Sequence, residues 1–313
     1  MKIAYAFRRS TVYPHEAKEG WNLQPEPALT NFLGKVREIG FDGIELGFEV
    51  FGGHNATKQS VSELQKMLSD SGTPCVSMRA GGVLCTPIVG EENRDRLFKS
   101  IEIAGWLGVG IVNSALSGAP RNKTLGPISP GRAIQPGSSQ LASYQDFELT
   151  ASILREAGNR AGEIGADVTV EVHQHAIADN SKSTLKLLEM TDSQHVYANP
   201  DLGNILWHYD EPEESSEQAI MALAPHSKYW HCKNLQRVHV PEHDRTYFLR
   251  VPLPDGDIDY RFAIHAMLDA GYEGYFALEG TQTGDHITKD ARSVAYVRQI
   301  LSEIKDGSPV VGI

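Results

Sequence analysis

The sequence predicts a single-domain (β/α)₈ TIM barrel over residues 1–313, with a long loop insertion at 113–143. Three observations predict it. Apolar, β-rich stretches alternate with helical periodicities along the whole chain, in units of roughly 30 to 45 residues. Stretches five to eight each end in, or just before, a residue type that binds metals. No composition shift or linker divides the chain into two domains. A doubly wound sheet is the competing architecture, but it does not normally place polar ligands at the ends of consecutive strands. In a barrel those ends ring one mouth, where active sites of this fold lie.

The elements follow in order. KIAYAF (Lys2 to Phe7) reads as a buried strand, and the tract from Arg8 to Gln24 as a loop. From Pro25, Leu29, Phe32, Leu33, Val36 and Ile39 share one helical face, which Gly40 ends. GFDGIELG is the second strand and carries Glu45 near its end. Ser60 is the expected cap of the next helix (Val61, Leu64, Met67, Leu68), which runs into Gly72-Thr73-Pro74. PCVSMR is the third strand, Glu91 to Leu107 a helix, and VGIVNS the fourth strand. Between Asn113 and Ser143 the tract is rich in Gly, Pro and Ser, which predicts a lid or a partner-binding loop. A long helix over Tyr144 to Ile164 leads to strand five, Asp167 to His173, and to a helix through Leu185, Leu187 and Leu188. Strand six is HVYA, from His195, and the helix from Pro212 to Leu223 covers it. Strand seven runs from Lys228 to Cys232, and an irregular excursion follows to Gly256. Ile258 to Ala270 is helical, GYEGYFALEG gives strand eight, and Asp290 to Ile304 the last helix.

Composition narrows the function. With 41% hydrophobic and 22% charged residues the chain reads as a globular protein. A net charge of -11 opposes binding to nucleic acid or an anionic membrane, which needs clustered Lys and Arg. Cys75, Cys85 and Cys232 form no CxxC pair, so reduced thiols in a cytoplasmic enzyme are expected. The apolar run that opens the chain is too short for a signal peptide, and no stretch reads as a membrane span.

The chemistry concentrates at the strand ends. Glu171 in VTVEVH, Asp201 in ANPDLGN, His231 in KYWHCKN and Glu279 in YFALEG each close a separate strand. A carboxylate there is costly unless something positive holds it. Two Glu, one Asp and one His make a ligand set for one divalent ion. Hard oxygen donors with one imidazole suit Mn²⁺, Mg²⁺ or Co²⁺ better than Zn²⁺. Residues two apart on a strand share a face, so His173 is expected beside Glu171 and Lys233 beside His231. His173 is the expected proton-abstracting base, with Glu171 and Glu279 as rivals, and Lys233 a substrate contact. His175 lies just past the strand, and Glu45 is expected either to hydrogen-bond substrate or to form an ion pair. An ion in such a site chelates a carbonyl and an adjacent hydroxyl, acidifies the C–H between them and stabilises the enediolate.

These stretches resemble the xylose isomerase-like barrels, the sugar phosphate isomerase/epimerase or AP endonuclease 2 superfamily. GFDGIEL is similar to that family's second strand, VTVEVH to its strand-five segment ending in a metal Glu, and ANPDLGNILW to its Asp-x-Gly-Asn/His element. YWHCKN resembles its His-x-Lys strand, RVPLPDGDIDY its Arg-containing loop, and GYEGYFALEG its closing Gly-Tyr-x-Gly…Glu. By that resemblance Glu171, Asp201, His231 and Glu279 are the implied metal ligands and Arg250 an implied substrate contact. Asn204 stands where ketose 3-epimerases have a substrate-touching His, and Pro254 replaces the usual first Gly of the loop after Arg250.

The implied function is a divalent-metal-dependent sugar isomerase/epimerase that enolises a keto-sugar. A second outcome shares the enolate: a lyase that eliminates a group β to the carbonyl. Inosose dehydratase-like enzymes belong there, as do the large subunits of C-glycoside deglycosidases, which cleave 3-oxo-glucosides. EVHQHAIADNSKSTLKLLEM with NPDLGNILWHYDE resembles the latter group, which works with a small β-type partner subunit. Homo-oligomer and partner complex both stay open. A repair endonuclease is disfavoured, because Asn204 stands where a second-metal His is needed.

Overall fold

The first strand, β1 (Lys2–Ala6), is buried on every residue after Lys2, as a strand covered on both faces must be. The computed structural model describes residues 1–6, 23, 27–118, 138–174, 176–207, 212–243, 245–281 and 284–306. Most of the expected 113–143 insertion (residues 119–137), and His175, therefore lie outside the described residues. Helix α1 (Ala28–Ile39) buries Leu29, Phe32, Leu33 and Val36 and stops at Gly40, whose φ of 103° is the left-handed cap that its sequence position predicts. Strand β2 (Gly43–Gly47) follows. In α2 (Lys58–Asp70) the cap is Thr57, not Ser60: Thr57 Oγ1 accepts from the Ser60 N–H, and Ser60 Oγ accepts from the Thr57 N–H. Ser60 is thus the third residue of a capping box one turn earlier than expected.

Strand β3 (Cys75–Gly81), α3 (Val89–Leu107), β4 (Ile111–Ala115) and α4 (Tyr144–Glu163) continue the alternation. Strand β5 (Asp167–Glu171) ends at Glu171, so His173 sits in the turn beyond it, where its N–H donates to the Ala178 carbonyl. Next come α5 (Ser181–Thr191), β6 (Val196–Asn199) and a one-turn helix, α6 (Leu202–Ile205), that the sequence does not announce. The helix expected from Pro212 is shorter: α7 (Ser216–Leu223) begins at its Ser215 cap. Strand β7 (Trp230–Cys232) is three residues long. The tract expected to be irregular is a hairpin, β8 (Asn234–Val240) against β9 (Arg245–Val251), outside the barrel wall. Helix α8 (Tyr260–Asp269), β10 (Tyr275–Leu278) and α9 (His286–Lys305) complete the chain.

Eight parallel strands run in the order β6-β5-β4-β3-β2-β1-β10-β7, which is a TIM barrel read around its circumference. The hairpin stands apart as a separate two-stranded sheet. The seam between β6 and β7 has one backbone bridge, Ala198 to Ser227, and side chains finish it. Asn199 Oδ1 accepts from the His231 N–H at 2.7 Å, and Trp230 Nε1 donates to the Pro200 carbonyl at 3.0 Å. Trp230 is fully buried among Tyr260, Tyr272 and Phe276. Among the described residues no helix is long and apolar enough to cross a membrane.

Trp230→Phe keeps the aromatic packing but strands the Pro200 carbonyl in this seam. Urea denaturation should show a loss of about 1–3 kcal/mol at unchanged m-value. An unchanged midpoint would mean that the seam closes without this bond.

Candidate metal centre

Four side chains predicted from separate strand ends meet at the mouth of the barrel. Glu171, Asp201, His231 and Glu279 each bring one donor atom into a group whose members all lie within 4.8 Å of one another. All four are buried, none more than 3% exposed. Glu171 is the last residue of β5, His231 the middle of β7, and Glu279 the residue after β10. Asp201 sits two residues after β6 and caps α6 by accepting from the Asn204 N–H. Its position explains the helix that the sequence hid: Pro200 ends the strand, and the Asp201 cap starts a new turn at once.

His231 shows what the centre is built to hold. Its Nε2–H donates to Glu45 Oε2 at 2.8 Å, with both side chains fully buried. Its Nδ1 lies 3.1 Å from Glu171 Oε2 and 3.5 Å from Glu279 Oε1, yet makes no hydrogen bond. A buried ring nitrogen that makes no hydrogen bond, aimed between two carboxylates, is a position that a divalent cation would take on displacing its proton. With three oxygen donors around it, the set fits a hard six-coordinate ion with room for ligands from solvent or substrate.

Among the described residues, charge in the centre is formally balanced without an ion. Carboxylates of Glu45, Glu171, Asp201 and Glu279 face Arg79, Lys233 and Arg250, and a protonated His231 makes up the difference. Burial alone would depress the His231 pKa, but the charges of Glu45 and Glu171 outweigh it and push it well above the ordinary value. For Glu171 burial pulls upward, and the His231 charge overcomes it to hold the carboxyl at about 2. Asp201 is raised because its burial is only partly offset by Lys233. The Lys233 ammonium binds Asp201 and lies 3.1 Å from Glu279 Oε2. It reaches them because Gly203 passes so close that a Cβ there would meet Lys233 Cγ at 2.5 Å.

The remaining predicted residues divide in two. Of the two roles expected for Glu45, the structure shows the ion pair: with no exposure, it lies behind His231 and pairs with Arg79 at 3.2 Å. Asn204 likewise faces inward, its Nδ2 donating to Glu171 Oε1 at 3.2 Å and to the Val172 carbonyl at 2.9 Å. Both orient ligands instead of meeting the mouth. Arg250 does reach it, and His173 lies in the turn after β5. Arg250 on β9 lies 3.3 Å from Glu279 Oε2 and 5.5 Å above the Trp207 ring, with a fifth of its side chain exposed. His173 is half-buried, and its Nδ1 faces the Gln174 carbonyl at 2.5 Å.

Sequence reasoning missed three residues. Asn113 Nδ2 donates to Glu171 Oε2 at 3.0 Å, while its Oδ1 accepts from Thr169 Oγ1 and Asn199 Nδ2, both at 2.9 Å. Asn199 in turn fixes the His231 backbone. The available signal was period two: Asn113 and Thr169 face the barrel axis in register with each other, as do Glu171 and Asn199.

A divalent ion at His231 Nδ1 must displace the proton that the raised pKa retains. Its apparent affinity should therefore rise with pH across the neutral range, with protons released on binding. Calorimetry of Mn²⁺ binding in buffers of different ionisation enthalpy measures both quantities. PH-independent binding without proton release would remove Nδ1 from the ligand set.

The profile of the family described as xylose isomerase-like TIM barrel matches residues 33–300. An inosose dehydratase of Clostridium perfringens is 26% identical over 272 residues, covering 83% of this chain and 85% of that protein. A xylose isomerase-like TIM barrel protein from Mycobacterium smegmatis, solved in complex with magnesium, superposes with a TM-score of 0.74 at 21% identity, covering 96% of this chain and 97% of that one. A structure of L-ribulose 3-epimerase gives a TM-score of 0.70 at 15% identity, over 100% and 99% of the two chains. A family profile matched across most of the chain, on a barrel of this topology, establishes that the protein belongs to the xylose isomerase-like TIM barrel family.

Proposed function

We propose that this chain is a divalent-metal-dependent enzyme that removes the proton next to the carbonyl of a keto-sugar, acting as a sugar isomerase or epimerase. The observation that carries the reading is the convergence of Glu171, Asp201, Glu279 and a His231 Nδ1 that makes no hydrogen bond at the barrel mouth. Those four residues would hold Mn²⁺, Mg²⁺ or Co²⁺. The bound ion would act as a Lewis acid on the substrate carbonyl and on the enediolate oxygen.

The chain's own residues supply the rest. With His231 deprotonated and a divalent ion bound, the fixed charges of the described residues would sum to one positive excess, which matches the single negative charge of an enediolate. Glu171 is a poor base there, because its oxygens already accept from Asn113 and Asn204 and would also face the ion. His173 is better placed: a Gln174 carbonyl against Nδ1 keeps the proton there and leaves the Nε2 lone pair to accept the substrate proton. Arg250, packed over Trp207, presents donors to substrate oxygens at the rim.

A second reading is β-elimination from the same enediolate, with loss of a hydroxyl or a glycosidic group. Lys233 favours it, because an ammonium among the ligands can protonate a departing oxygen. The likeness to an inosose dehydratase supports it as well. Proton NMR in D₂O separates the two readings, since isomerisation keeps every oxygen on the sugar and elimination yields an unsaturated product.

Two substitutions test the assignment. Asp201→Ala should lose bound Mn²⁺ and activity together, whereas full metal occupancy would sink the ligand set. His173→Gln should retain Mn²⁺ and bind substrate, yet lose deuterium exchange at the substrate C–H by about a hundredfold or more, the usual contribution of a general base. Exchange near the wild-type rate would make His173 structural and return the role to a glutamate.

A further inference from the structure

The turn over residues 172–180, which carries His173, is tied down at both ends and across its middle. At its start the Val172 N–H donates to the Asn199 carbonyl at 3.0 Å, and the Val172 carbonyl accepts from Asn204 Nδ2. Across its neck the His173 N–H donates to the Ala178 carbonyl at 2.9 Å. Ala176, Ile177 and Ala178 are buried beneath it. Ala176 also forms an isolated antiparallel bridge with Ser117, in the chain that leaves β4. The backbone of His173 is therefore one hydrogen bond from Ala178 and, through it, one peptide from Asp179.

Asp179 is 3% exposed and joins this turn to two other segments. Its Oδ2 accepts from Ser138 Oγ at 2.8 Å and from the Ser139 N–H at 3.1 Å, both in the chain that enters α4. Its Oδ1 accepts from Ser183 Oγ at 3.3 Å, in the first turn of α5. Among the described residues it makes no ion pair, so a carboxylate is buried here on neutral donors alone. That costs more than a neutral side chain of the same size would. Capping α5 does not account for it, because Asn180 already does so, its Oδ1 accepting from the Ser183 N–H at 2.8 Å. What Asp179 adds is the tie between the turn and the entry to α4. The same seam continues outward to the chain before α7, where Asn180 Nδ2 donates to Glu213 Oε2 at 2.7 Å and the Ser181 N–H to Glu214 Oε1 at 2.6 Å.

We propose that Asp179 is a positioning residue for His173: by tying the far side of the turn to the entry of α4, it fixes where the imidazole stands. The inference rests on the enolising reading above, in which His173 takes the substrate proton. Asp179 touches neither the imidazole nor the metal-capable side chains, so its effect passes through the Ala178 carbonyl to the His173 backbone. A base displaced by about 1 Å loses up to roughly a hundredfold in rate.

The test follows deuterium exchange next to the carbonyl of D-fructose, L-ribulose and an inosose on the Mn²⁺-loaded full chain, using the sugar that the wild type exchanges fastest. Asp179→Ala should lower kcat by roughly ten- to a hundredfold while KM and Mn²⁺ affinity stay at the wild-type values. Asp179→Asn, whose amide oxygen still accepts from Ser138 and Ser139, should restore most of the rate. In a His173→Gln background Asp179→Ala should cost nothing further, because it acts through that imidazole. A wild-type kcat in Asp179→Ala, a loss that falls on KM or on metal affinity, or an undiminished loss without His173 would each overturn the positioning role. Should Asp179→Ala not fold, Ser138→Ala removes one donor and is expected to show the same split at smaller size, and a wild-type kcat there rejects the role. Position is also read without turnover, from the His173 Cε1–H resonance of ¹³C-histidine-labelled protein, assigned by its loss in His173→Gln. It should shift in Asp179→Ala and return in Asp179→Asn. If no sugar exchanges in the wild type, the enolising reading falls, and this resonance alone decides whether Asp179 positions His173: a shift sustains it, and an unmoved signal rejects it.

Discussion

Everything at the mouth of this barrel answers to one electrostatic constraint: Glu45, Glu171, Asp201 and Glu279 lie together with almost no water contact. Carboxylates in such a place repel one another and lose their hydration, a cost of several kcal/mol per ion unless cations and donors replace the water. The chain supplies them from different strands. Lys233 bridges Asp201 and Glu279, Arg250 closes on Glu279 from the hairpin, and Arg79 holds Glu45. Such a cluster is a poor way to stabilise a fold, because apolar side chains of the same volume would cost less to bury. Its retention at the functional end of the barrel is the reason to read it as chemistry.

The same constraint explains the amides around it. Glu171 needs donors for both oxygens, and Asn113 and Asn204 provide them from β4 and α6. Asn113 then needs donors for its own oxygen, which Thr169 and Asn199 supply, and Asn199 spends its carbonyl on the His231 backbone across the weakly paired seam. A network in which nearly every member is satisfied fixes geometry to within a hydrogen bond, and a single truncation disturbs several partners at once.

Much of this was legible before any coordinates. Strand alternation with helical stretches gave the barrel, and the strand-end positions of Glu171, Asp201, His231 and Glu279 gave the cluster, because period and position are local properties of a sequence. The failures are non-local. The sequence left Glu45 open between substrate and an ion pair and placed Asn204 on substrate, because their orientation depends on where His231 and Glu171 lie across the barrel. The hairpin β8–β9 escaped notice because it packs on the mouth through one face only. Phe248 and Arg250 turn toward Trp207 on that face, while Tyr247 and Leu249 remain exposed, so neither strand shows a clean polar and apolar alternation. Asn234 pins the hairpin's return, donating to the Leu253 and Ile258 carbonyls and accepting from the Ile258 N–H. Nothing in a single asparagine after a His-x-Lys strand signals that role.

Rigidity and access are separated across the site. The metal-capable residues sit on strands or a tightly capped turn, buried and cross-linked, as a site that must hold an ion in fixed geometry requires. The groups proposed to meet substrate, His173 and Arg250, lie on a turn and an outer hairpin, each partly exposed. A strand-borne base would be as fixed as the ligands. In the turn after β5, His173 is anchored by its own backbone and by the Gln174 carbonyl against Nδ1. On the proposed reading, members of one family could keep the buried floor and change reaction by altering the rim, since the floor would acidify a proton next to a carbonyl and the rim would direct where that proton and the neighbouring oxygen go.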